Sequence, residues 1–258
     1  MGERDRYEPG TFSWVDLATT DQEAAKAFYA RLLGWTYDDG PAGEGVVYSM
    51  ARLRGQDVAA ISPQPDRMRE AGAPPSWNSY VTVRDADATA ARASELGATL
   101  FAEPFDVFDA GRMAIVSDPE GAVFMLWQPG DTIGAGLVNE PGTLSWNDLA
   151  TRDPEGAQRF YGELFGWSFD EVAPIYLTIR NGEQMNGGVR VLGRGEEQVP
   201  PHWLPYFAVE DLGAAVALAG KAGGKALAPP MEVPAGRFAA LADPQGAAFA
   251  LFAGDFDP

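Results

Sequence analysis

The chain contains one pattern twice. Residues 10–21 read GTFSWVDLATTD and residues 142–153 read GTLSWNDLATRD, with nine of the twelve positions identical at an offset of 132. The match runs on through QEAAKAFYARLLGW and PEGAQRFYGELFGW, so Phe28-Tyr29 and Gly34-Trp35 return as Phe160-Tyr161 and Gly166-Trp167. Trp77 and Tyr80 return as Trp203 and Tyr206 at an offset of 126, and Gly111-Arg112 and Asp118-Pro119 return as Gly236-Arg237 and Asp243-Pro244 at 125. Offsets that shrink along the chain mean that loops changed length while the elements were kept. A period near 130 residues is far too long for a solenoid repeat and indicates duplication of a whole module. The division that follows is a first module over 10–128, a connection over 129–141 (PGDTIGAGLVNEP) and a second module over 142–254.

Within one copy, residues 11–17 alternate and carry aromatic and β-branched side chains, the pattern of a strand. Asp21 is a helix N-cap, Ala24, Ala25, Phe28, Tyr29, Leu32 and Leu33 recur at helical spacing, and Gly34 supplies the stop. Strand-like runs cover 46–53, 57–63 and 80–83, and residues 85–96 form a second amphipathic helix closed by Gly97. Two further strands, 112–117 and 122–127, flank the turn Asp118-Pro119-Glu120-Gly121, where proline supplies φ near −65° and glycine a positive φ. The second copy repeats that turn as Asp243-Pro244-Gln245-Gly246, while Gly43, Gly45 and Gly187-Gly188 read as loop punctuation. Mixed strands with helices on one face make the fold class α+β.

Charge excludes some functions. With 19 basic against 37 acidic residues the net charge is −18, a field that repels phosphate backbones and anionic lipid, so neither nucleic acid nor membrane is an expected partner. There is no cysteine and one histidine, so neither a thiolate site nor a histidine-rich metal site can be assembled within one chain. No long apolar run and no apolar leader occurs, and the expected location is cytoplasmic. The tandem copies are expected to supply both halves of a monomer or homodimer and to build one ligand chamber together. If each copy instead closes its own barrel, the chain carries two sites.

A strand, a D-x-x-x-A-x-x-F-Y-x-x-L-x-G-W helix and a late D-P-x-G hairpin resemble the vicinal oxygen chelate superfamily, which includes glyoxalases, bleomycin-resistance proteins and extradiol dioxygenases. Both copies carry the pattern independently, over residues 10–128 and 142–252, and the arrangement is similar to two-module actinobacterial glyoxalase-like proteins. The resemblance implies tandem modules of paired βαβββ units, curled into U-shaped half-open barrels with the ligand on the concave face. It also implies metal-ligand positions. A His or Gln is expected seven residues before the first helix cap, where this chain has Trp14 and Trp146. A Glu is expected seven residues after the Asp of D-P-x-G, where it has Met125 and Ala250. A third position holds Asn78 and Leu204. These side chains do not make the converging donor set a transition metal needs, so no metal and no cofactor are expected; a carboxylate-only site stays open.

Strand parity turns those positions into a candidate site. Facing the ligand with Trp14 should be Phe12 and Asp16; with Trp146, Leu144 and Asp148; with Met125, Val123 and Trp127. The candidate binding residues are thus Phe12, Trp14, Asn78, Met125, Trp127, Trp146, Leu204, Tyr206 and Ala250, an aromatic wall with few polar points, suited to a hydrophobic or aromatic small molecule. The same residues would equally serve as a core plug. Asp16 and Asp148 are candidate acid–base groups, or structural partners of Arg112 and Arg237; His202 is a candidate proton shuttle, or a plain rim histidine. Two functions follow: metal-independent binding or sequestration of the bleomycin-resistance kind, or a glyoxalase-like lyase or hydroxylase/dioxygenase acting on a small-molecule or natural-product substrate. The second chamber, with Ala250 and Leu204, is expected to be the roomier.

Overall fold

The computed structural model describes residues 2–43 and 45–255. The first half of the first copy runs β1 (Phe12–Thr19), α1 (Gln22–Leu33), β2 (Thr36–Pro41), β3 (Val47–Leu53), β4 (Gln56–Pro63) and a short α2 (Asp66–Glu70). Its second half runs β5 (Ser76–Thr82), α3 (Ala86–Glu95), β6 (Thr99–Leu100), β7 (Phe105–Val107), β8 (Gly111–Ser117) and β9 (Val123–Pro129). The second copy opens with β10 (Leu144–Thr151), α4 (Pro154–Phe165), β11 (Ser168–Ala173), β12 (Tyr176–Asn181) and β13 (Gln184–Val191). It closes with β14 (His202–Ala208), α5 (Leu212–Lys221), β15 (Lys225–Ala226), β16 (Met231–Val233), β17 (Gly236–Ala242) and β18 (Ala248–Gly254).

The helix starts follow from their caps. Asp21, Asp85, Asp153 and Asp211 each accept the backbone N–H three residues on, at 2.8–3.0 Å, satisfying a donor that the helix leaves orphaned. Gly34 and Gly166 end α1 and α4 in the left-handed conformation, at φ 77° and 76°. Two features differ from the sequence reading. β2, TYDDGP, falls where the sequence reading assigns no element, yet it pairs with β3 as an outer strand, where one open side tolerates Asp, Gly and Pro. Gly187 and Gly188 lie inside β13 rather than in a loop.

Each copy builds its own nine-stranded sheet, in the orders β2-β3-β4-β1-β5-β9-β8-β6 and β11-β12-β13-β10-β14-β18-β17-β15, with β7 and β16 paired to the sides of β8 and β17. The two halves of a copy are joined by antiparallel β1–β5 and β10–β14 pairs, flanked by parallel β1–β4, β5–β9, β10–β13 and β14–β18 pairs. The class is α+β, with two open curved sheets. The expected single chamber shared by both copies is therefore corrected: each copy builds its own open sheet and has its own concave face.

What the copies share is their backs. One core joins Val15, Leu17, Phe28, Tyr29, Trp35 and Trp77 of the first copy to Phe207, Leu212, Leu241, Phe249 and Leu251 of the second. A second joins Val81, Ala90, Val116, Phe124 and Leu126 to Phe160, Tyr161, Trp167, Ile179 and Trp203. Burial of this apolar area drives the docking, at roughly 1.5–3 kcal/mol for each large side chain fully removed from water. Polar contacts fix its register. Tyr29 Oη donates to Asp243 across the copies (3.2 Å) and accepts from Trp77 Nε1 (2.9 Å); Tyr161 Oη donates to Asp118 (3.0 Å) and accepts from Trp203 Nε1 (3.0 Å). Trp35 and Trp167 donate to Gly142 O (2.7 Å) and Gly10 O (2.8 Å). The repeated F-Y, G-W, Trp and D-P signals thus form a two-fold-like lock between copies.

Candidate functional site

The concave faces carry a matching polar cluster. In the first, Asp16 accepts from Asn78 Nδ2 (2.8 Å), Tyr80 Oη (2.7 Å) and Tyr48 Oη (3.2 Å), while Trp14 Nε1 donates to Tyr48 (3.1 Å). In the second, Asp148 accepts from Tyr206 Oη (2.6 Å), Tyr176 Oη (2.8 Å) and Trp146 Nε1 (2.9 Å), and the same indole N–H also reaches Tyr176 (3.0 Å). Register explains the assembly: β5 sets Asn78 opposite Asp16, and β14 sets Leu204 opposite Asp148. Where Leu204 cannot donate, Trp146 turns its N–H to the carboxylate. A Cβ on Gly188 would lie 2.1 Å from Tyr176 Oη and 2.4 Å from Asp148 Oδ1, so the bare backbone there makes room for the bond. Ala60 occupies that register in the first copy, where the Tyr–Asp contact is longer.

Tyr48 and Tyr176 were missed in the sequence reading. Their signal was present, since both stand on the strand before the glycine- or alanine-bearing one at nearly the offset of the other repeats. Two expected members face elsewhere. A register shift between Phe12 and Trp14, and another between Leu144 and Trp146, flips the strand starts. Phe12 therefore packs on Trp203 and Trp167, at ring distances of 4.9 and 5.5 Å, and Leu144 joins the first inter-copy core. Arg112 pairs with Asp87 and Asp106, and Arg237 with Glu232, so neither arginine meets Asp16 or Asp148. His202, at the start of β14, donates from Nδ1 to Pro200 O (2.8 Å), and burial holds its pKa below the ordinary value.

The two faces differ in what covers them. Over the first, Trp14, Tyr80, Met113, Met125 and Trp127 form a cluster with Ala135 and Val138 of the inter-sheet segment, and Tyr7 packs against it. The cover is stitched by Tyr7 Oη to Ala135 O (2.6 Å), Arg4 N to Gly136 O (3.0 Å), Val138 N to Gly2 O (2.9 Å) and Trp127 Nε1 to Thr132 O (3.0 Å). Trp14 and Met125 are each only 6% exposed. On the second face Trp146, Tyr176, Leu204, Phe238 and Phe252 are all half-buried, Tyr206 packs its ring 5.5 Å from Phe238, and Ala250 lies beside Tyr206 in register. The first face is plugged by a separate segment; the second leaves its rim side chains half-exposed over a buried floor of Asp148, Tyr206 and Ala250.

Burial pushes the Asp16 and Asp148 carboxyls above their ordinary pKa, opposed by the hydrogen bonds each accepts, and it raises Asp118 and Asp243 in the same direction. Such groups bind protons more tightly folded than unfolded, so their contribution favours the fold most below the unfolded value and is lost as pH rises through the raised one. Thermal stability is therefore expected to rise on acidification from about pH 7.5 to about pH 5.5, a trend that relief of the −18 charge reinforces. Repeating the melts in high salt screens the net charge and leaves the buried groups' share, and Asp148→Asn should reduce that remainder by its own part while Asp16, Asp118 and Asp243 keep theirs. A stability that falls over this interval would contradict the assignment.

No group of three or more His, Asp or Glu side chains able to hold a metal ion is present among the described residues. The positions from which the family holds its metal present Trp14, Asn78 and Met125, and Trp146, Leu204 and Ala250, which do not fit a divalent transition ion. Among the described residues no helix is long and apolar enough to cross a membrane.

Comparison with known proteins agrees with this geometry. Residues 11–126 match the model of the glyoxalase/bleomycin resistance protein/dioxygenase superfamily, and residues 147–252 match a glyoxalase-like domain. CFP32 of Mycobacterium tuberculosis, whose name assigns it provisionally to the glyoxylases, is 47% identical over 97% of both chains. The anthracycline biosynthesis protein DnrV of Streptomyces peucetius is 33% identical over 95% of this chain and 94% of its own. Among solved structures, the Mn(II)-bound glyoxalase of Novosphingobium aromaticivorans superposes with a TM-score of 0.67 at 16% identity, covering 100% of this chain and 86% of that one. The 2,3-dioxygenase LapB of Pseudomonas sp. KL28 does so with a TM-score of 0.66 at 16% identity, covering 98% and 95%. With the sheet order, the paired clusters and these relatives in agreement, the chain belongs to the glyoxalase/bleomycin resistance protein/dioxygenase superfamily, as two tandem modules.

Proposed function

We propose that the chain binds a hydrophobic or aromatic small molecule on its second concave face without a metal, as a sequestering or carrier member of its family. One observation carries the reading: the Trp146 ring and Leu204 are half-exposed on a face that no other described segment plugs, above the buried Ala250, at the three positions where the resemblance implies ligands. Aromatic walls with a few placed polar groups are the usual make-up of small-molecule sites. Metal analysis of the purified protein, before and after dialysis against nickel, zinc and iron(II), should return well below one equivalent of each. A stoichiometric transition metal that survives desalting would overturn the metal-free reading.

A second reading, a glyoxalase-like lyase or a hydroxylase or dioxygenase-type enzyme, draws on one feature: Asp148 is a buried carboxyl of raised proton affinity at the floor of that face. In this reading Asp148 moves a proton on a substrate seated against Trp146. Turnover of an aromatic substrate that Asp148→Asn abolishes while binding persists would favour it.

A further inference from the structure

The first copy displays what this frame holds when it is full. Tyr7 lays its phenol against the Trp14, Tyr80, Met125 and Trp127 cluster and donates its hydroxyl to a backbone carbonyl at 2.6 Å. The rest of the filling, Ala135 and Val138, is uncharged. Most ionic residues of the covering segments stay outside, with Glu3, Asp5, Arg6 and Asp131 exposed and Glu140 paired with Arg54, while Arg4 is half-buried and donates to the Glu3 carbonyl.

The described cations near Asp148 are already engaged: Arg190 meets both Glu196 oxygens (2.8 and 3.0 Å), Arg152 donates to the carbonyls of Glu196, Glu197 and Val199, and Arg180 is paired with Asp170. Lys225 lies on the edge strand β15, four strands from Asp148. His202 is held neutral by burial. Asp148 is a poor counter-ion for a cation, since it is buried beneath Tyr206, Tyr176 and Trp146, which donate to its oxygens and would have to be displaced for a charged group to reach it. Tyr206 Oη spends its proton on Asp148 and keeps acceptor capacity for a ligand hydroxyl.

We infer that the second concave face selects by charge, admitting an uncharged aromatic molecule that carries a hydroxyl and turning away its anionic and cationic analogues. This rests on the binding reading above and adds the ligand's chemical class. Calorimetric titration of the full chain with 2-naphthol, naphthalene-2-carboxylate and 2-naphthylmethylammonium separates the two. The expected result is one naphthol site per chain, lost in Trp146→Ala, with both ions binding at least roughly tenfold more weakly. Either ion binding as tightly as naphthol would overturn the charge selection alone. Binding of none of the three, or naphthol binding that Trp146→Ala leaves intact, would overturn the binding reading and this inference with it.

Discussion

Replacing Asp118 by alanine should lower the unfolding free energy by about 3 kcal/mol, the sum of several buried donors left unpaired less the relief of burying a carboxylate. Asp118 accepts from its own turn, at Glu120 N (3.0 Å) and Ala122 N (2.9 Å), and from Tyr161 of the other copy (3.0 Å). The loss should reach the docking of the copies, because Tyr161 also receives the Trp203 N–H and lies fully buried among Phe124, Phe165 and Trp167. Asp243→Ala should act alike through Tyr29, and the double variant should be near-additive, because the two locks share no hydrogen-bonding residue. Asp87→Ala, which breaks the exposed pair with Arg112, serves as the comparison and should change stability little. Urea unfolding with an unchanged slope would report these differences; a loss for Asp118→Ala no greater than for Asp87→Ala would refute the lock.

This lock explains how far the sequence could be read. The strongest repeats belong to one lock: Tyr29/Tyr161 and Asp118/Asp243 pair across the copies, and Trp77/Trp203 hold those tyrosines from within their own copy, so both copies carry the same chemistry. They announce duplication and architecture, and only then a site. The helix caps, the D-P-x-G turns and the concave placement of Trp14, Asp16, Trp146 and Asp148 were legible because capping and strand parity are local rules. Parity failed one step away, at Phe12 and Leu144, because a strand irregularity leaves no trace in the alternation of apolar residues. The recurrence of Tyr48 as Tyr176 was visible, but its role was not, because that depends on β3 and β12 lying two strands from the carboxylates. The plug over the first face was opaque as well, since Tyr7 and Ala135 are far apart in sequence and belong to neither repeat.

Asymmetry imposed on a symmetric frame yields the last expected result. Ala250→Met should weaken ligand binding at the second face by roughly 100-fold, about 2.7 kcal/mol, and cost about 1–3 kcal/mol of stability, because Ala250 is itself fully buried. Its counterpart Met125 stands beside Tyr80 as Ala250 stands beside Tyr206, and there the same frame accommodates the larger side chain in a closed cluster with Trp14 and Trp127. The substitution therefore pushes the half-buried Trp146, Leu204, Phe238 and Phe252 side chains outward into the space that the ligand would take, in an arrangement whose counterpart the first copy already holds. The reciprocal change, Met125→Ala, should cost about 2–4 kcal/mol of stability, the usual range for truncating a buried Met. It should create no second site, because Tyr7, Ala135 and Val138 still cover that face. Unchanged affinity in Ala250→Met would place the ligand elsewhere, whereas a gain of binding in Met125→Ala would show that the cover yields. The pair of variants thus locates the site by opposite operations on equivalent positions, one adding volume beneath the half-exposed rim and one removing it where the chain has filled the face itself.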